Sequence, residues 1–251
     1  MSRSGEGASV RVEEHPLLGL AHRDIITTIV MVVATLTLFI LLKIPSTRAD
    51  IQRIDNRVLT WMVAIRSPAL TAVAKFFNVL GLIFVTLPVR LGVAGFLAFK
   101  RRWWHFAAFV SAQVVAEISI GTLKGFYDRL RPPGSLVSTS GGSFPSGHAV
   151  AASVIVVSMV IALFPEGPRR YWWGAAAMLF SFFMALSRVY LAAHWFSDAV
   201  AGVMLGTTVA LGTAVIVHVI REHSPGGERE RRAAIQAEAT TEARSQAAGL
   251  G

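Results

Sequence analysis

The chain has 251 residues, of which 53% are hydrophobic and 16% charged, with a mean hydropathy of +0.55. Soluble domains carry about 25% charged residues, so the composition argues against a water-soluble enzyme and for a membrane protein. The net charge of +9 would suggest nucleic acid as a partner of a soluble chain, but here the excess Lys and Arg border hydrophobic runs, where they anchor and orient helices. There is no cysteine, and so no disulfide or thiolate metal cluster to look for.

In chain order, residues 1–23 read as a polar N-terminal tail, 24–220 as a membrane domain and 221–251 as a polar Ala/Glu/Arg-rich tail. A helix crossing a bilayer needs about 20 mostly apolar residues. Segments of this kind run over Ile25–Lys43, Phe76–Phe99, Trp103–Leu123, Ala149–Phe164, Tyr171–Leu191 and Ala199–Ile220. The predicted fold class is all-α, a polytopic bundle of six transmembrane helices. The first span lacks a small-x-small cleavage site after it, unlike a signal peptide. Between the first two spans, Ile51, Ile54, Val58, Met62 and Ile65 recur at helical spacing with Arg53, Asp55 and Arg57 between them. That pattern predicts an amphipathic helix on the outer membrane surface. Gly202 and Gly206 give the last span a small-xxx-small face for close packing inside the bundle, with dimerisation as the second use.

Six spans put both termini on one side. The two tails with the loops "FKRRWW" and "PRRYWW" hold 13 of the 24 Lys and Arg residues. The bias places the termini and these loops in the cytoplasm. It also places three polar clusters together at the outer ends of the helices.

The first cluster is "KGFYDRLRPP", where Lys124 and Arg131 stand seven residues apart, two helical turns, before Pro132 and Pro133 stop the helix. The second is "PSGH", residues 145–148, at the start of the fourth span. The third is "SRVYLAAHWFSD", in which His194 and Asp198 at i, i+4 share a face of a helical turn. Singly, each has an ordinary reading: interfacial anchors, a helix cap at Ser146, a histidine beside a tryptophan. Together they bring three cations, two histidines and a carboxylate to one depth.

These clusters resemble the signature of the type 2 phosphatidic acid phosphatase superfamily, K-x6-R-P, P-S-G-H and S-R-x5-H-x3-D. All specified positions match in order: Lys124, Arg131 and Pro132; Pro145, Ser146, Gly147 and His148; Ser187, Arg188, His194 and Asp198. The resemblance implies an integral membrane lipid phosphatase working through a phosphohistidine. Lys124, Arg131 and Arg188 would neutralise the phosphoryl oxygens. Ser146 and Gly147 would offer the phosphate a helix N-terminus that backbone can approach closely. His194 would be the nucleophile, Asp198 the hydrogen-bonded partner of its other ring nitrogen, and His148 the general acid. Three fixed cations make a metal or other cofactor unnecessary. The substrate would be a lipid phosphate or diphosphate held in the bilayer, with polyprenyl diphosphate first and phosphatidic acid or phosphatidylglycerol phosphate next, at the outer face of a cell membrane. A lipid phosphotransferase is the nearest alternative, and a small transporter or channel the rival from another class.

Other charged residues read as structural. Arg90 and Glu117 lie within spans, at depths that differ by roughly 10 Å at 1.5 Å per residue, which argues against a direct pair. Asp128 and Arg129 are expected as a solvated surface pair, and His105, His218 and His223 as interfacial side chains.

Overall fold

The computed structural model describes residues 22–225, and these form eight helices without a strand. The expected tails fall largely outside the described residues, although the last helix continues through Arg221 and Glu222. Four helices make the centre: α5 (Trp103–Tyr127), α6 (Gly147–Leu163), α7 (Pro168–Tyr190) and α8 (Phe196–Glu222). Helix α6 is apolar on every side, and Ala149 through Ile155 are all buried. A helix with no polar face belongs inside a bundle. This accounts for its 17-residue length, since α5, α7 and α8 surround it.

Close packing of α8 on α6 depends on the two glycines singled out in the sequence. A Cβ at position 202 would stand 2.8 Å from the Ser146 carbonyl oxygen, and one at 206 would stand 2.6 Å from that of Val150. Nothing larger than hydrogen fits there, so the small-residue face is used within the bundle.

The peripheral helices are α1 (His22–Leu41), α2 (Pro45–Ala64), α3 (Pro68–Leu80) and α4 (Ile83–Phe99). Each of α5, α7 and α8 is long and apolar enough to cross a membrane. The pairs α1–α2 and α3–α4 qualify only as bent units, with bends of 98° and 49°. Large apolar side chains such as Val33, Leu91 and Phe182 point outward from α1, α4 and α7, as a lipid-facing surface requires. The chain is thus a multi-pass membrane protein.

The second expected span, Phe76–Phe99, is not one helix. Hydropathy reads straight through Gly81, but the backbone ends α3 there: the Gly81 N–H is shared between the Phe77 and Asn78 carbonyls at 3.2 Å each. The surface helix predicted near residues 51–65 exists as α2, but its inward face differs. Asp55 and Met62 are buried, Ile51 and Val58 are half-buried, and Ile54 and Ile65 point out. A carboxylate therefore occupies the face that periodicity assigned to apolar residues.

Two local predictions also change. Helix α5 ends at Tyr127, because Asp128 adopts a left-handed conformation at φ 39°, so Arg131 lies in the following loop rather than two turns along the helix. Residues 191–195 form a turn with Ala192 at φ 52°, and α8 starts only at Phe196. His194 and Asp198 consequently do not share a helical turn.

Candidate active site

His194 lies in the turn between α7 and α8 and is 3% exposed. Its Nδ1 contacts the Ser143 carbonyl oxygen at 2.7 Å. A carbonyl can only accept, so Nδ1 carries the proton and Nε2 keeps the lone pair. Asp198 Oδ2 is 3.9 Å from Nδ1, beyond hydrogen-bond length. The expected direct bond from Asp198 to the ring is thus replaced by an indirect one: Asp198 Oδ2 accepts from Ser143 Oγ at 2.5 Å and from the Trp195 N–H at 3.0 Å. Asp198 holds the residue whose carbonyl orients the imidazole. Burial lowers the imidazole to about 4; Asp198 opposes that shift, and Arg131 and Arg188 add to it. The ring is therefore neutral near pH 7, as attack on phosphorus requires.

Behind Asp198 lies a buried network that sequence reasoning missed. Arg129, expected at the surface, is 6% exposed. It donates to Asp198 Oδ1 at 2.6 Å, Ser197 Oγ at 2.7 Å, Gln52 Oε1 at 2.7 Å and Asp55 Oδ2 at 2.6 Å. Asp55 also accepts from the Ser197 N–H at 2.8 Å, and so caps the first turn of α8 from another helix. The one signal for this network was a carboxylate at Asp55 within an apolar stripe.

The cations come together from three elements. Lys124 lies in the last turn of α5, Arg131 belongs to the following loop and Arg188 lies in the last turn of α7. Lys124, Arg131 and Arg188 lie within electrostatic reach of one another, and His148 and His194 both lie within reach of Arg188. Arg131 is the most committed of the three. It donates to the carbonyls of Gly141 at 3.0 Å, Ser140 at 2.7 Å, Gly142 at 3.2 Å and Ala193 at 2.7 Å. Its Nη1 also stands 3.2 Å from His194 Nε2, at the lone pair that would meet phosphorus. Arg188 is 2% exposed, its Nη1 donates to Asn78 Oδ1, and its Nε has no partner.

The start of α6 completes the cradle. Ser146 is fully buried, yet its Oγ caps nothing and has no hydrogen-bond partner. Its N–H donates to the Asp198 carbonyl at 3.1 Å, which ties the α6 start to α8. Around Gly147 the nearest atom to a hypothetical Cβ is Ile120 Cγ2 at 3.8 Å, so the space beside this backbone is open. His148 Nε2 is buried without a partner. Buried polar atoms without partners are uncommon in folded proteins; others lie elsewhere in the bundle, such as Gln113 Oε1 and Ser153 Oγ, but these stand beside three positive charges.

Elsewhere, Arg90 Nη1 and Glu117 Oε1 pair directly at 2.6 Å. This corrects the argument from depth: two long side chains span the offset between their backbones. His105 and His218, expected at the interface, are buried within the bundle, with His218 Nε2 3.3 Å from Glu222 Oε1.

Comparison with known proteins points to the same family as the three clusters. The family model described as PAP2 superfamily matches residues 101–222. The chain is 27% identical over 161 residues to Phosphatidylglycerophosphatase B of Bacillus subtilis (strain 168), covering 62% of this chain and 79% of that protein. It is also 27% identical over 129 residues to Lipid A 1-phosphatase of Porphyromonas gingivalis, covering 50% of this chain and 27% of that longer protein. The fold resembles the crystal structure of a transmembrane PAP2 type phosphatidylglycerolphosphate phosphatase from Bacillus subtilis, with a TM-score of 0.69 at 23% identity over 78% of this chain and 98% of that one. A second solved structure, Aquifex aeolicus LpxE, aligns with a TM-score of 0.50 at 22% identity over 64% of this chain and 92% of that one.

Proposed function

We propose, from the match of residues 101–222 to the PAP2 superfamily model and the likeness to membrane lipid phosphatases, a two-step hydrolysis at His194 of a lipid phosphomonoester or diphosphate. The observation that carries the proposal is the gathering of Lys124, Arg131, Arg188, His148 and His194 around unfilled donors at the start of α6.

In the first step the His194 Nε2 lone pair attacks phosphorus. A P–N bond forms while the P–O bond to the leaving group breaks, and the leaving oxygen takes its electron pair and a proton from His148 Nε2. Lys124, Arg131, Arg188 and the backbone beyond Ser146 hold the three equatorial oxygens, the main work in phosphoryl transfer. The Arg131 donor that stands 3.2 Å from Nε2 passes to a phosphoryl oxygen. In the second step His148 takes a proton from water, which attacks phosphorus, breaks the P–N bond and releases inorganic phosphate. No step needs a metal, because the cations are fixed side chains.

Polyprenyl diphosphate is the substrate proposed first, with phosphatidylglycerol phosphate and phosphatidic acid next. All three place a phosphate at the surface and an apolar tail in lipid, and the name of the Bacillus subtilis relative supports including the second. The active site is proposed to face outside, with both termini in the cytoplasm. The test is phosphate release from a panel of these lipids in detergent with chelator, for wild type and His194→Ala. Wild type is expected to be active with chelator, and His194→Ala to lose on the order of 10⁴-fold in kcat. Activity surviving in His194→Ala rules out the nucleophile, and loss with chelator rules out metal independence. Cysteine labelling at position 124 from the cytoplasmic side alone would reverse the orientation.

A further inference from the structure

The junction of α3 and α4 carries no residue of the three signature clusters, yet it touches two of the groups assigned to the chemistry. Asn78 Oδ1 accepts a hydrogen bond from Arg188 Nη1, and the backbone of the same residue is the hydrogen-bond partner of the His148 ring. Three residues on, Gly81 lies flat against that ring: a Cβ here would stand 2.2 Å from His148 Cδ2 and 2.9 Å from Cγ. The backbone itself does not demand glycine. Its φ of −85° and ψ of −4° are open to any L-residue. What glycine supplies is room for the imidazole.

The break in the helix has a matching use. The last four carbonyls of a helix lack partners one turn on, so ending α3 at Leu80 leaves the Asn78 carbonyl only a share of the Gly81 N–H at 3.2 Å in place of a regular ladder bond. Had the span run unbroken from Phe76 to Phe99, that oxygen would be engaged by the N–H of residue 82. With the ring held on one side by Asn78 and on its face by Gly81, Nε2 is the atom left over, buried and without a protein partner.

We infer that the α3–α4 break is a positioning device for the leaving-group side of the reaction, in which Asn78 and Gly81 aim His148 Nε2 at the departing oxygen and Asn78 ties Arg188 to the same assembly. This rests on the proposed role of His148 as general acid, and both residues act through others rather than on the substrate.

The leaving group provides the test. An alkyl phosphate departs as an alkoxide and needs a proton, whereas p-nitrophenyl phosphate departs as a stable phenolate and does not. Gly81→Ala, which forces the ring aside, is expected to lower kcat on a lipid alkyl phosphate by on the order of 10²-fold, the range of general acid catalysis, with a much smaller loss on p-nitrophenyl phosphate. Retained aryl phosphatase activity also reports a folded site. Asn78→Ala keeps the backbone that holds the His148 ring, so it is expected to lack this bias and, with Arg188 released, to show weaker inhibition by inorganic phosphate. Asn78→Asp, which restores an acceptor for Arg188, is expected to recover that inhibition. Equal losses on both substrates in Gly81→Ala, or no loss on either, would overturn the inference, as would unchanged phosphate inhibition in Asn78→Ala. Failure of His148→Ala to show the bias would instead remove the acid role, and a wild type inactive on both substrates would remove the phosphatase reading.

Discussion

The two halves of the site differ in how their polar groups are satisfied. On the nucleophile side, Asp198, Arg129, Asp55, Ser143 and Ser197 are buried and bonded to one another, and His194 Nδ1 is fixed by a carbonyl. On the cradle side, Ser146 Oγ, His148 Nε2 and Arg188 Nε are buried with no protein partner. Buried groups without protein partners are costly, and in the proposed reaction an anionic ester with three oxygens and a leaving group would satisfy these three. On that proposal one half is stiffened in advance so that the lone pair points correctly, and the other binds the substrate.

The largest expected effect breaks the first half. Asp55→Ala leaves Arg129 with one carboxylate instead of two in a buried network, and removes the cap on the Ser197 N–H. Losing one partner of a buried ion pair costs about 3–5 kcal/mol, and a fall of that size is expected in denaturant unfolding of the detergent-solubilised protein. An effect below about 1 kcal/mol, the range of surface pairs, would show that the network is not buried in solution. Activity is expected to fall with stability, because the chain from Asp55 through Arg129 and Asp198 to Ser143 ends on His194.

A second consequence is the pH profile. With a folded value of about 4 against an ordinary value of about 6.5, His194 stays neutral and nucleophilic down to roughly pH 4. The depressed value means that the active form is lost as pH falls through about 4, not through 6.5. Once corrected for the second ionisation of a phosphomonoester near pH 6, kcat/KM is expected to show no acid limb from His194 above pH 5. A corrected limb near 6.5 that persists in His148→Gln would mean that the imidazole is not desolvated.

How much of this was legible in the sequence follows the same division. The three clusters were readable because cradle and nucleophile residues are polar atoms in apolar runs, where hydropathy makes them stand out. Their supports were not. Arg129 sits in a loop among other charges, and Asp55 lies on a helix whose polar side was assumed to face water. Nothing local says that the two meet across 74 residues of chain. The break at Gly81 was hidden for a different reason: hydropathy sums over a window, and Gly81 is one of three glycines in the 24 residues 76–99, two of which lie inside a helix. The packing role of Gly202 and Gly206, by contrast, was legible, because their spacing puts both on one face and close helix contact is a local property of that face.

A smaller effect sharpens the second half of the comparison through its sign. Ser146→Ala removes a hydroxyl that has no protein hydrogen-bond partner. The variant is expected to be as stable as wild type or slightly more so, while inorganic phosphate binds roughly tenfold more weakly, about one charge-assisted hydrogen bond. Loss of stability together with unchanged phosphate affinity would mean that Ser146 Oγ has a structural partner, and the cradle would then lose one of its open donors.

The smallest effect lies outside both halves. Arg90 and Glu117 form an ion pair between α4 and α5, with the Arg90 side chain 11% exposed and that of Glu117 52% exposed. A transporter would need such charges along its path, whereas a phosphatase needs them only to join two helices. Charges in a membrane are retained when they neutralise one another, and a pair at 2.6 Å with one member facing outward does so without reaching the site. Glu117→Gln keeps a hydrogen-bond acceptor for Arg90 and removes the charge. It is expected to leave kcat on lipid phosphates within about threefold of wild type, with a loss of stability of about 1 kcal/mol or less, as for other half-exposed pairs. A fall in kcat comparable to that of His148→Ala would bring this pair, and α4 with it, into the chemistry.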